Sequence, residues 1–262
     1  MDEPILVERD RQIATVILNR PQQRNAITFE MWRQLQTIAR TLDADPEVRV
    51  VVFRGAGEAA FSAGADISEF ETRRNNSALG RAYAAEFDGA LDAVAAMGKP
   101  TISMIRGFCV GGGLELTTAT DLRLAAEDAR FGVPIAQLGI LVGYKEMRRL
   151  VALVGPGPAM DLLLTARLID AAHALRIGLI SELVRTEELE RRTYDLARRL
   201  CALAPLSARW HKQILQTVLT NPGLAGLSPD EEALPFACFD TADFQEGRQA
   251  FLEKRAPSFQ GR

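Results

Sequence analysis

Apolar residues follow two rhythms along this chain. Residues 5–9 and 13–18 are short runs rich in Ile, Val and Leu, separated by Asp10-Arg11-Gln12, which is the pattern of a β-hairpin. From Thr28 the period lengthens: Met31, Leu35, Ile38, Ala39 and Leu42 recur three or four apart, predicting an amphipathic helix capped by Thr28 and ended by Pro46. Residues 50–53 are continuously apolar, as a strand covered on both faces must be. Residues 79–97 predict a second amphipathic helix, leading through Gly98-Lys99-Pro100 into another buried strand at 101–105. Gly111-Gly112-Gly113 then opens a short helix through Ala119, and strands follow near 122–125 and 130–131. This alternation predicts the α/β class.

Beyond Met147 helical segments follow one another at 147–154, 158–165, 171–178, 187–203 and 204–219, and only 179–184 resembles a further strand. Residues 221–228 are turn-rich, and 240–254 form a last helix. The chain has no visible internal repeat, low-complexity tract or linker. A soft boundary near residue 200 divides an α/β core, 1–200, from a helical C-terminal region, 201–262, suited to assembly.

With 262 residues, 47% of them hydrophobic, the chain can bury a sizeable core. Its 31 basic and 34 acidic residues leave a net charge of -3, which offers no footprint for nucleic acid or an anionic membrane. Cys109, Cys201 and Cys238 are far apart and odd in number, arguing against a disulfide framework or zinc site and for a reducing cytoplasm. The acidic opening Met1-Asp2-Glu3-Pro4 predicts no secretory or transit peptide, and no stretch approaches the roughly 20 apolar residues of a membrane span.

Two segments carry candidate chemistry. In Phe61-Ser62-Ala63-Gly64-Ala65-Asp66-Ile67 the small side chains leave main-chain N–H groups open to a ligand, although a tight turn explains the composition equally well. In Gly111-Gly112-Gly113-Leu114-Glu115 a glycine run becomes the first turn of a helix, where unpaired N–H groups stabilise negative charge. The Lys-Ser/Thr of a phosphate loop is absent there. His173 and His211 stand apart from both segments, and no GxSxG elbow exists, so a Ser-His-Asp mechanism has no support.

Taken together, these segments resemble the crotonase (enoyl-CoA hydratase/isomerase) family. The likeness also covers Asn19-Arg20-Pro21, Asn25-Ala26-Ile27, Lys99-Pro100, Gly107, Asp121, Phe131-Gly132-Val133-Pro134, Leu138-Gly139, Phe239 and Phe251-Leu252-Glu253-Lys254-Arg255. It implies a spiral of ββα units assembled as a homotrimer or a dimer of trimers. It implies an acyl-CoA substrate, with coenzyme A part of that substrate and no separate cofactor or metal. By position it implies that Ala63 and Gly112 supply two oxyanion-hole N–H groups and that Glu115 transfers a proton. Ala65, Asp66 and Ile67 become substrate-contact candidates, and Lys254 a contact for the CoA phosphates of a neighbouring subunit.

One departure bears on the reaction. Hydratases of the family bracket a water between two glutamates, and the second would follow Pro134, where this chain has Ile135. A positioned acid or base contributes about 10² to 10⁴ in rate. Hydration with a substitute group, a double-bond shift, decarboxylation, thioester hydrolysis and acyl-CoA binding without turnover all stay open. Tyr144 and Glu146, in the segment 141–146, are the candidates to replace the absent acid, with exposed loop as the alternative.

Overall fold

The computed structural model describes residues 3–262. The expected hairpin forms β1 (Ile5–Asp10) and β2 (Ile13–Leu18). The next strands are β3 (Val50–Gly55), β4 (Ala60–Ser62), β5 (Thr101–Ile105), β6 (Phe108–Val110), β7 (Leu122–Ala126), β8 (Arg130–Gly132), β9 (Ile169–Asp170) and β10 (Glu182–Val184). They sort into a large sheet of order β1-β2-β3-β5-β7-β10 and a small one of order β4-β6-β8-β9. Apart from the antiparallel β1/β2 and β8/β9 pairs, neighbouring strands run parallel.

The helices are α1 (Phe29–Ala44), α2 (Phe70–Arg73), α3 (Ser77–Ala95), α4 (Gly112–Thr118), α5 (Tyr144–Val154), α6 (Pro156–Thr165), α7 (Ala171–Arg176), α8 (Leu189–Cys201), α9 (Pro205–Thr220), α10 (Pro229–Ala237) and α11 (Ala242–Glu253). A unit emerges three times: β3-β4 with α2 and α3, β5-β6 with α4, and β7-β8 with α5 and α6. In each, the first strand joins the large sheet and the second the small one. This is the expected ββα spiral, a repeat that sequence similarity between the units does not announce.

The continuous apolar run of β3 serves two layers. Val51 and Phe53 enter the main core with Trp32 of α1 and Phe87 and Leu91 of α3. Val50 and Val52 face the other way, into a cluster closed by Leu189 and Ala197 of α8. Thr28 caps α1 as predicted, accepting from Met31 N.

Several boundaries differ from expectation. The strand at 179–184 is only three residues long, because Leu179 and Ile180 bond back to Ala174 O and leave the ladder. The segment 141–146 is not all loop, since α5 begins at Tyr144. Helix α10 was not expected; Ser228 and Glu231 cap it reciprocally, Pro229 sits in its first turn, and Pro235 lies within it. Helices α9 and α10 carry no fully buried residue. The last segment is tied to the core by Arg49 Nη2 donating to Phe259 O (2.7 Å) and by the Lys212–Asp121 ion pair (2.7 Å). Among the described residues no helix is long and apolar enough to cross a membrane.

Candidate active site

The loop leaving β4 is held from behind by Asn25. This buried residue adopts a left-handed conformation (φ 55°), donates from Nδ2 to Ala56 O (2.9 Å) and Ala60 O (2.8 Å), and accepts from Arg20 N (3.1 Å). Ser62 Oγ donates to Asn25 O (2.8 Å) and accepts from Gly64 N (3.1 Å). Ala63 N donates to Arg24 O (2.9 Å), and Asp66 N to Ile27 O (2.9 Å). From Ala63 to Asp66, therefore, only the Ala65 N–H lacks an acceptor among the described residues.

The second loop meets it there. Gly111, at φ 51°, turns β6 into α4 and donates to Gly132 O (2.9 Å), and the following N–H, of Gly112, has no partner among the described residues. A side chain on Gly64 (φ 98°) would lie 2.9 Å from Val110 O and 3.3 Å from Gly112 N, so glycine alone lets the loops close up. A Cβ on Gly112 would stand 3.5 Å from Ala65 N. The two unpaired donors are thus Ala65 and Gly112. Ala63, the donor expected from sequence position, is corrected to Ala65, because the Ala63 N–H is already bonded to Arg24 O.

Both donors line a cavity of about 360 Å³ whose walls are largely apolar, with Tyr83, Ala84 and Phe87 from α3 and Ile135, Leu138 and Ile140 from the third unit. Glu115, in the first turn of α4, lies in this wall and its carboxylate accepts no hydrogen bond from the described residues. Burial, and secondarily the charge of Glu146, push its pKa up to about 8, while Arg74 and Arg149 oppose the shift. Glu146 lines the cavity too and is only 8% exposed. Burial raises its pKa, as does Asp88, close enough to share a hydrogen bond. Its carboxylate folds over Gly143, where a Cβ would come within 2.5 Å of Oε2. Asp88 Oδ1 and Glu146 Oε2 are both buried without a partner among the described residues.

The structure brings together Ala63, Ala65, Ile67, Gly112, Glu115, Ile135 and Glu146 around one cavity. Three residues named from sequence lie outside it. Asp66 pairs with Arg20 (2.7 Å) and caps Ser68 N (3.1 Å), so its carboxylate is committed to the loop and not to a ligand. Tyr144 is 98% exposed, because the first turn of α5 directs it to the surface. Lys254 ends α11 in a left-handed conformation, away from the cavity wall. His173 and His211 do not line it either.

Sequence reasoning missed Asp88, Tyr83, Phe87 and Arg74. Tyr83 Oη accepts from Trp32 Nε1 (2.8 Å), and burial pushes its pKa up to about 12. Its ring packs near Phe87 and carries the Arg74 guanidinium 4.6 Å from its centroid. The sequence carries no clear signal for them, since α3, with Tyr83, Phe87 and Leu91 buried, has the pattern of an ordinary core helix.

A family model described as enoyl-CoA hydratase/isomerase matches residues 8–262. The crotonyl-CoA hydratase of Syntrophomonas wolfei is 36% identical over 258 residues, 98% of both chains. The short-chain-enoyl-CoA hydratase of Clostridium acetobutylicum is 34% identical over 251 residues, 96% of this chain and 95% of that one. A crystal structure of an enoyl-CoA hydratase/carnithine racemase from Magnetospirillum magneticum superposes with a TM-score of 0.95 at 39% identity, covering 100% of this chain and 97% of the other.

Proposed function

The chain belongs to the enoyl-CoA hydratase/isomerase family, and from that premise we propose that it hydrates a 2-enoyl-CoA thioester through an enolate held between Ala65 and Gly112. The observation that carries the proposal is the pair of unpaired N–H groups facing one apolar cavity with Glu115 beside them. The thioester oxygen accepts from both donors. As charge moves onto it these bonds strengthen, and each such donor is worth about 3 to 4 kcal/mol of barrier.

Glu115 is the proton-transfer residue. Its environment holds the proton more tightly than water would, so the fraction of Glu115 that is ionised at neutral pH is a stronger base than an ordinary carboxylate. It takes a proton from the attacking water as oxygen bonds to C3. The same enolate links a 3-enoyl to a 2-enoyl thioester, and double-bond migration is the sister reaction of the site. Coenzyme A enters as part of the substrate, with no further cofactor.

Self-association as a trimer is supported by the apolar surface of the C-terminal helices, where Phe251 is 84% and Leu252 68% exposed. In that assembly Lys254, next to them, is assigned to the CoA of a neighbouring subunit.

Turnover of crotonyl-, 3-enoyl- and malonyl-CoA by wild type and Glu115→Gln tests the proposal. A loss of about 10² to 10⁴ in kcat on an enoyl substrate is expected, and equal turnover of all three by both proteins removes Glu115 from the mechanism. Ile135 favours a second reading, acyl-CoA binding without chemistry. Calorimetric binding of a thioester with no product from any of the three would establish it.

A further inference from the structure

We propose that Glu146, held by Asp88, is the second proton-transfer group of this site and delivers the proton that C2 of the substrate receives. This rests on the enolate chemistry proposed above. The position after Pro134 is Ile135, which contributes only hydrocarbon to the cavity. Glu146 enters the same cavity from α5, the helix that follows that turn in the third ββα unit.

Three features single it out. It is 8% exposed, yet its Oε2 has no hydrogen-bond partner among the described residues. A buried unpaired carboxylate oxygen is costly and is retained where it meets a ligand or a proton. Secondly, Asp88 Oδ1, beside it, is orphaned as well. One proton held between the two carboxyls supplies what both oxygens lack and lies in the wall of the cavity, where it can be transferred. Thirdly, Gly143 leaves the space that the Glu146 carboxylate fills, and any side chain there would collide with it.

The charges around the pair fit that role. Glu115 faces Glu146 across the cavity from α4, and their repulsion favours a state with one of them protonated. Arg149, one turn further along α5, offsets part of the negative charge, and it is itself anchored to Asp92 together with Lys145. Asp88 acts through Glu146 and is a positioning residue.

The step balances without a further reactant. Glu115 removes one proton from water while the oxygen forms its bond to C3. The C2–C3 π pair moves through the thioester into the enolate oxygen between Ala65 and Gly112. On collapse, C2 forms its bond to the proton leaving Glu146. Water is the only species consumed, and proton exchange between the two carboxyls through the cavity restores the starting state.

Two reactions read on the same proteins separate the roles: hydration of crotonyl-CoA, and exchange of the C2 hydrogens of butyryl-CoA with deuterated solvent, which needs the C2 group alone. Glu115→Gln is expected to lose hydration and keep exchange. Glu146→Gln is expected to lose both, by about 10² or more in kcat with KM little changed. Asp88→Asn is expected to move the alkaline limb of the hydration profile to lower pH, because the group that raises the Glu146 pKa is gone. It also carries the test if Glu146→Gln does not fold, and an unmoved limb overturns the proposal. So does a Glu146→Gln protein within about twofold of wild type in both reactions, or exchange lost in Glu115→Gln but kept in Glu146→Gln. Wild-type protein that neither hydrates nor exchanges overturns the enoyl-CoA proposal along with this one.

Discussion

Replacing Glu115 by Gln should make the protein more stable at alkaline pH while it disables the site, and the structure sets the size of the effect. The folded-state pKa of Glu115 is about 8 against an ordinary 4.5. At pH below the ordinary value the carboxyl is protonated in both folded and unfolded chains and favours neither. Between the two values the unfolded chain releases its proton and the folded chain keeps it, so wild-type stability falls as pH rises and levels off above the folded pKa. At 1.36 kcal/mol per pH unit the whole interval bounds the loss at about 5 kcal/mol. Water reaching the carboxyl through the cavity raises the effective dielectric and leaves about 2 kcal/mol as the expected figure. Gln keeps the shape and does not titrate, so the variant escapes this loss. Urea unfolding of both proteins at a fixed protein concentration, at about pH 5 and about pH 9, measures it. The stability of the variant relative to wild type should grow by about 2 kcal/mol between these pH values. A difference constant to within about 0.5 kcal/mol would refute burial as the cause of the raised pKa.

Other outcomes follow from particular contacts. Replacing the Ala65 amide by a backbone ester, through incorporation of the α-hydroxy acid, should lower kcat by about 10² to 10³. The same change at Ala63 breaks its bond to Arg24 O and should cost about 1 kcal/mol in unfolding measurements, with kcat kept. Asn25→Ala strips three hydrogen bonds from a buried left-handed residue, and denaturant unfolding should register a loss of about 3 to 4 kcal/mol. Gly113→Ala would bring a Cβ within 2.6 Å of Ser62 Cβ, and calorimetry should find it about 1 to 3 kcal/mol less stable. Tyr144→Phe, at the surface, should leave turnover of crotonyl-CoA within about twofold of wild type, where a catalytic hydroxyl would cost about 10² or more.

The large sheet is legible in the sequence because its inner strands are covered on both faces and therefore read as unbroken apolar runs, as at Val50 to Phe53. The small sheet is not, because β4, β6 and β8 have three residues each, too few for an alternation to register. Gly112 and Glu115 can be found from the glycine run that opens a helix. The first donor cannot, since which amide of Ala63-Gly64-Ala65 stays free is decided by the Arg24 carbonyl, contributed by a distant turn, and by the Ser62 hydroxyl. Tyr144 and Glu146 look equivalent as text. On a helix they stand about 200° apart, so only one of them can face the cavity. Asp88 is hidden by its neighbourhood, because a helix that buries Tyr83, Phe87 and Leu91 reads simply as core.

The threefold ββα unit has a consequence for how such a protein can change its chemistry. The first unit contributes the Ala65 donor, the second contributes Gly112 and Glu115, and the third contributes Ile135 and Glu146, each from the turn that leaves a small-sheet strand or the helix after it. On the proposed mechanism, anchoring the thioester and reshaping its carbon skeleton fall to separate stretches of chain. An insertion or a few exchanges between Pro134 and Glu146 can exchange one acid for another while the parts that grip the carbonyl stay in place. New reactions can therefore arise in this scaffold by editing a single turn.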